Sequence, residues 1–270
     1  SRSTFPCYTF LIVVAIIHLK DRVPLRDPVL ISQGNHMSEH KRPNDFETQW
    51  QEKLASAVED LAGVEIRDQV LAGGDKLQDP SSSQEKLLWT CQALEILAEA
   101  ADEKTRQEIL TRCHCQYPVE DLADVKALYQ ETRDLDRSLD ALQSNFETFL
   151  RSTLQLEEEL VEKIVSLGWG LAGVREGNTI IATKIPKSGY LREYFRADDP
   201  LEKRRLYCHC PRVRDEIGSD PALPQAYCYC GAGFYRGIWE EILGEPVQVE
   251  VLESVMTGGE VCQIAVHLPE

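Results

Sequence analysis

Three cysteine pairs of the form C-x-C punctuate the chain: Cys113 and Cys115 in "RCHCQYP", Cys208 and Cys210 in "YCHCPRV", and Cys228 and Cys230 in "AYCYCGAGF". Thiols are the ligands zinc favours in structural sites, where they commonly arrive as two closely spaced pairs joined by a loop. Cys208/Cys210 and Cys228/Cys230, with 17 residues between the pairs, match that arrangement. The pattern is less specific than C-x-x-C, because a one-residue gap in an extended segment sends both thiols to the same face without forming the usual knuckle turn. The same residues could also do nucleophilic chemistry. Cys230 stands directly before the helix that Gly231 is expected to begin, and the free N–H groups and dipole of a helix N-terminus stabilise a thiolate. His209, between two cysteines, would then act as a base or a ligand. A third reading makes these cysteines small apolar side chains that pack irregular loops. Cys113, His114 and Cys115 either complete the site from upstream or mark a second one.

An acidic partner is offered by the last stretch, "VQVEVLESVMTGGEVCQIAVHL", which reads as a β-hairpin turning at Gly258-Gly259. A two-residue turn of the primed type pairs Thr257 with Glu260, Val255 with Cys262, Glu253 with Ile264 and Val251 with Val266. Alternation then places Val247, Val249, Val251, Glu253 and Val255 on one face with Cys262, Ile264 and Val266. Glu253 is the single carboxylate on that apolar face, diagonal to Cys262. A buried carboxylate needs a partner or a proton, so Glu253 is a metal ligand or an acid of raised pKa. A three-residue turn or a bulge would instead swing it outward.

The elements that must position these groups fall into two parts. Residues 37–167 read as a helical region. "DFETQWQEKLASAVEDLA" sets Trp50, Leu54, Ala57, Val58 and Leu61 at three- and four-residue spacings, one apolar stripe. After the break "GGDKLQDPSSS", Ser82 and Glu85 form a capping box that opens the next helix. On it Leu87, Cys91, Leu94 and Ala98 share a face, which assigns Cys91 to packing. A short helix ends at "TRCHCQYP", another starts at Pro118, and further helical segments run from Leu135 to Leu150 and up to Gly168, whose position suits a helix C-terminus. Residues 168–270 read as a cysteine-rich α+β region: strand, irregular segment, helix and C-terminal hairpin. "GWGLAG" (Gly168 to Gly173) fits G-x-G-x-x-G, but a dinucleotide fingerprint needs a strand before it and a helix after it; here a helix precedes and the strand "NTIIATKIP" follows. The expected fold class is α+β, an N-terminal helical layer followed by a small antiparallel sheet with packed helices.

Residues 1–36 differ in character. "FLIVVAIIHL" (Phe10 to Leu19) is too short for a stable membrane span, and no small-x-small cleavage site follows it. The chain starts with Ser, and "QGNHM" can be encoded as a ribosome-binding sequence ahead of a start codon at Met37. We read residues 1–36 as translated upstream sequence; a signal or anchor segment is the alternative. On the first reading the protein is bacterial and cytoplasmic, and nine cysteines in a reducing compartment point to metal binding, redox chemistry or catalysis rather than disulfides. The net charge is −16, and the excess of two positive charges in residues 1–36 leaves −18 on the remainder. That charge excludes a nucleic-acid backbone as partner, since phosphate contacts need a basic stripe.

From Tyr207 onward, "YCHCPRV" through "AYCYCGAGFYRGIWEEILGEPVQVEVLESVMTGGEVCQIAVHLP" resembles an uncharacterised bacterial domain-of-unknown-function family. That family is distantly similar to the aminothiazoline-carboxylate hydrolases and to the four-vinyl-reductase ligand-binding domains. The resemblance implies helices packed on an antiparallel sheet, and in some ligand-binding relatives a zinc held by a glutamate and cysteines near the final hairpin. By position, Cys262 matches a ligand and Glu253 lies near the acidic one. The chain departs at Ser254, where the metal-binding versions carry a further cysteine; one of Cys208, Cys210, Cys228 or Cys230 would replace it.

Together these observations lead to an expected metal-binding or small-molecule-binding protein. Zinc is the first metal in view, and Cys208, Cys210, Cys228, Cys230, Cys262 and Glu253 are the site. The alternative is a hydrolase of a small cyclic amidine or thioether. In it Cys230 attacks, or a metal-bound water does, with Glu253 moving protons. The absence of a recognisable triad or H-E-x-x-H signature weighs against the enzyme. The composition is compatible with a homo-oligomer.

Overall fold

A computed structural model describes residues 46–77 and 82–269; the readings placed on residues 1–36 and on Met37 lie outside the described residues. The chain opens with helix α1 (Phe46–Ala62), whose buried stripe is Glu47, Trp50, Leu54, Ala57 and Val58. Four members of the expected stripe are therefore buried. Leu61, the fifth, is 37% exposed, and the stripe begins one turn earlier at a carboxylate. Helix α2 (Val64–Leu71) folds back on α1. The capping box then starts α3 (Ser83–Ala100): the Ser82 hydroxyl accepts from Glu85 N–H at 3.2 Å, and the Glu85 carboxylate accepts from Ser82 N–H at 2.8 Å. The buried face of α3 is rotated from the expected one toward Thr90, Ala93 and Leu97, leaving Cys91 half-buried and Ala98 exposed.

Asp102 caps α4 (Glu103–Arg112), which delivers Cys113 at its C-terminus. Pro118 is followed by a 3-10 turn, Val119–Leu122, before α5 (Ala123–Thr132) begins. Helices α6 (Leu135–Ser152) and α7 (Glu158–Ser166) complete the helical layer, and Gly168, at φ +67°, ends it in the left-handed conformation that favours glycine.

A four-stranded antiparallel sheet follows, with strands β1 (Val174–Glu176), β2 (Thr179–Thr183), β3 (Gln248–Glu253) and β4 (Gln263–His267) in the order β1-β2-β4-β3. Between β2 and β3 lie α8 (Leu191–Arg196), α9 (Pro200–Tyr207), the cysteine-bearing loops and α10 (Tyr229–Leu243). One hydrophobic cluster runs from Trp50 and Leu54 of α1 through Tyr235, Ile238 and Trp239 of α10 to Val251 and Ile264 of the sheet. The fold is α+β, with helices packed on a small antiparallel sheet. Among the described residues no helix is long and apolar enough to cross a membrane.

The final hairpin differs from its expected register. Val249 pairs with Val266, Val251 with Ile264 and Glu253 with Gln263, with a bulge between Val251 and Glu253. The two-residue turn is replaced by a longer connection. Ser254 caps a 3-10 turn at Val255–Thr257, accepting from Met256 N–H at 3.1 Å, and the Glu253 carboxylate accepts from the N–H groups of Glu260 at 2.6 Å and Val261 at 3.3 Å. The slip is two residues along the strand, so the valines keep their expected face, while the bulge turns Glu253 into the loop.

Among the glycines of the described residues, the tightest approach is between α4 and α10. A Cβ on Gly233 would lie 2.0 Å from the Thr111 carbonyl oxygen and 2.8 Å from the His114 Cβ. Gly233→Ala is expected to destabilise the protein by about 3 kcal/mol, the upper end for overpacking, because a backbone carbonyl cannot rotate away. A urea midpoint unchanged from that of the original chain would contradict this.

Candidate functional site

The paired cysteines are delivered by three elements that end close together. Helix α9 stops at Tyr207, and Cys208 begins an extended segment held by its neighbours: the Tyr207 hydroxyl donates to the Lys184 carbonyl, and the Lys187 N–H donates to the Tyr207 carbonyl at 3.1 Å. A 3-10 turn, Gln225–Cys228, runs directly into α10. This corrects the expected helix start: α10 begins at Tyr229, so Cys230 lies inside the first turn rather than before it. Cys262 enters just ahead of β4, its carbonyl accepting from Lys184 N–H at 3.0 Å.

The eight described cysteines are free thiols, and seven gather in two sets. Cys208 faces Cys210, Cys262 and Cys228, and Cys228 in turn faces Cys262 and Cys210. Cys230 belongs elsewhere: its thiol donates to the Cys113 carbonyl at 3.2 Å and faces Cys115 before Cys210. The upstream pair is therefore brought to Cys230, across the α4–α10 contact that Gly233 permits. Glu253 stands at the edge, with its carboxylate engaged by the turn.

Each sulfur of the larger set has a hydroxyl neighbour or a buried wall. Ser254, only 2% exposed, lies between Cys228 and Cys262; its oxygen is 2.9 Å from the Cys228 sulfur. Because that oxygen already accepts from Met256 N–H, its proton is free to point at sulfur. Tyr227 does the same for Cys210. Its oxygen accepts from Arg212 Nη1 at 3.2 Å and lies 3.1 Å from the Cys210 sulfur, within hydrogen-bond distance of the thiol. Arg212 is buried against Trp50, 3.9 Å from the ring centroid, and is held by Glu47 through two hydrogen bonds of 2.7 Å and by Thr90 at 3.1 Å. One buried chain of contacts thus runs from α1 through Glu47, Arg212 and Tyr227 to Cys210.

Burial dominates the ionisation of the site. It pushes the thiols of Cys228 and Cys230 up to about 12, raises Cys262, and raises Cys208 and Cys113 well above the ordinary range. All five are neutral thiols at pH 7. His209 is pushed the other way, down to about 3, by burial and by the charges of Lys184 and Lys187; its Nε2–H donates to the Ile185 carbonyl at 2.8 Å. The His114 ring is likewise lowered by burial and donates to the Cys115 carbonyl at 2.9 Å. Neither histidine is placed as a base toward Cys230. Iodoacetamide is accordingly expected to alkylate Cys230 at least about a hundredfold more slowly than exposed Cys115 at pH 8, read peptide by peptide by mass spectrometry. Rapid labelling of Cys230 would restore it as a nucleophile.

Sulfur donors from paired cysteines are what zinc selects in closed sites. The sulfurs do not form a closed shell as they stand: among the described residues, no group of three or more Cys, His, Asp and Glu side chains is arranged to hold a metal ion. The contacts that hold them, weak S–H and O–H···S bonds, are ones that side-chain rotation can exchange. A surface groove of about 190 Å³ beside α3, lined by Cys91 and Pro221, contains none of the paired cysteines.

The sequence reading missed Glu47, Arg212, Tyr227, Lys184 and the bridging place of Ser254. A signal was present: a tyrosine precedes each downstream pair, in "YCHC" and "YCYC", and both tyrosines are buried with their hydroxyls anchoring the loops. Comparison with family models, curated proteins and solved structures gives no match to the chain.

Proposed function

We propose that this protein binds a thiophilic metal ion, zinc being the first to test, with Cys208, Cys210, Cys228 and Cys262 as the donors. The observation that carries the reading is the meeting of Cys208, Cys210, Cys228 and Cys262, delivered by three separate segments, with the Ser254 hydroxyl oxygen 2.9 Å from the Cys228 sulfur and the Tyr227 hydroxyl oxygen 3.1 Å from the Cys210 sulfur. When bound, a closed-shell metal would hold the loops after α9, before α10 and before β4 to one another. The protein's own residues shape that place: Ser254 and Tyr227 orient the sulfurs through hydroxyl contacts, and Arg212 fixes Tyr227. Glu253 and Cys230, members of the set expected from sequence, are left outside the donor group.

Elemental mass spectrometry on the full chain, purified with reductant and without chelator, tests this directly when combined with a count of reactive thiols. About one zinc per chain is expected, with about four thiols shielded until denaturation. A metal-free protein whose thiols all react at the rates their burial dictates would overturn the proposal.

A further inference from the structure

The thiol of Cys230, in the first turn of α10, lies 3.2 Å from the main-chain carbonyl oxygen of Cys113 at the end of α4. Cys228 and Cys210, by contrast, turn to the hydroxyls of Ser254 and Tyr227. With standard bond lengths, the first contact keeps the Cα atoms of Cys113 and Cys230 within about 8 Å of each other, and a disulfide spans about 4.4–6.8 Å. The approach is held from several sides. The Lys53 ammonium donates to the His114 carbonyl at 2.7 Å, the Arg236 guanidinium meets the Glu108 carboxylate at 2.6 Å, and a Cβ on Gly237 would lie 3.2 Å from the His114 ring. Segments clamped in this way keep their cysteines as neighbours. Each sulfur is restrained only by a weak S–H donor bond, that of Cys113 running to the Ile109 carbonyl at 3.4 Å, so side-chain rotation brings one toward the other.

We infer that Cys113 and Cys230 are a redox pair, closing to a disulfide that clasps the end of α4 to the start of α10 when the chain meets a low-molecular-weight disulfide such as oxidised glutathione. The Cys230 thiolate attacks the oxidant and expels one glutathione thiolate; the Cys113 thiolate then attacks the mixed disulfide at the Cys230 sulfur and expels the second. One S–S bond breaks and one forms, and the two protons of the protein thiols end on glutathione. Cys230 takes the first step because it is half-buried, whereas Cys113 is 1% exposed. Burial makes the exchange slow. The clasp joins residues 117 apart in sequence, so it removes much of the freedom of the unfolded chain. Neither thiol belongs to the donor set proposed above, and the pair stands whether or not a metal binds.

The test incubates the reduced full chain with oxidised glutathione and a chelator at about pH 8, quenches with acid and N-ethylmaleimide, and maps disulfides by non-reducing peptide mass spectrometry. The expected product joins the Cys113 and Cys230 peptides, and its melting temperature rises by about 5–10 °C until dithiothreitol reverses the change. Because Cys115 shares a tryptic peptide with Cys113, the variants Cys115→Ser, Cys113→Ala and Cys230→Ala are run alongside. The bridge should form in Cys115→Ser and be lost in the other two. Breaking it from either helix keeps the test decisive if one alanine variant does not fold. A bridge from Cys230 that persists in Cys113→Ala would overturn the assigned pairing. Glutathione adducts or other bridges without this one would overturn the redox pair itself. A bridge that leaves the melting temperature unchanged would overturn the clasp.

Discussion

Glu47→Ala is expected to cost about 3–5 kcal/mol of stability, because it leaves the Arg212 guanidinium buried without its carboxylate. Both members of the pair are almost fully buried, at 0% and 1% exposure, and two hydrogen bonds of 2.7 Å join them. The pair links the start of α1 to the segment that follows Cys210, so the loss should also loosen the cysteine loop. Glu47→Leu combined with Arg212→Met should recover much of it, since apolar replacement of a whole buried pair is often nearly neutral. The pH dependence follows from the same contacts. Burial alone raises the Glu47 carboxyl, but the hydrogen bond and charge of Arg212 outweigh it and hold the carboxyl below its ordinary value. A depressed folded-state value means that this stabilisation is present above the usual carboxylate range and is lost as pH falls through the folded value. Urea midpoints measured across the acid range should therefore fall less steeply in the double variant. Equal slopes would show that the pair does not couple to protonation.

Cys228→Ser is expected to weaken zinc binding by more than about a hundredfold, exceeding the tenfold-to-hundredfold losses typical of residues that only support a ligand. Ser254→Ala, which removes the hydroxyl between Cys228 and Cys262, belongs in that smaller class. Cys230→Ser should leave the affinity within severalfold, because its thiol points to the Cys113 carbonyl. Competition titrations on the three variants separate the four-thiol donor set from the set expected on sequence grounds. A loss at Cys230 as large as at Cys228 would return Cys230 to the donor group.

Local patterning carried the fold class. The apolar stripe of α1, the Ser82/Glu85 box and the glycine after α7 are each determined within a few residues; the box and the glycine take their expected places, and the stripe does so for all but Leu61. The hairpin register depended on a longer-range choice. Gly258-Gly259 reads as a tight turn, but the Glu253 carboxylate captures two N–H groups and Ser254 caps a 3-10 turn, and together these outcompete the two-residue connection. A Cβ on Gly259 would lie 2.5 Å from the Glu253 Cγ and 2.7 Å from its carboxylate Oε1, so the second glycine is explained by the clamp. That the cysteines could share a site was suggested by their spacing. Their division into two sets was not, because it depends on how closely α4 approaches α10, and that contact lies more than a hundred residues apart in sequence. Glu47 was hidden for the opposite reason: at one end of an apolar stripe it looks like a solvated first-turn acid, and only Arg212, far along the chain, gives it a partner.

The most direct test of the central claim is a titration of the reduced full chain with cobalt(II), followed by its absorption spectrum. A thiolate shell around the ion predicts sulfur-to-metal charge-transfer bands and the intense visible bands of a tetrahedral ion, saturating at about one equivalent. Only the weak bands of hydrated octahedral cobalt, at every ratio, would contradict it.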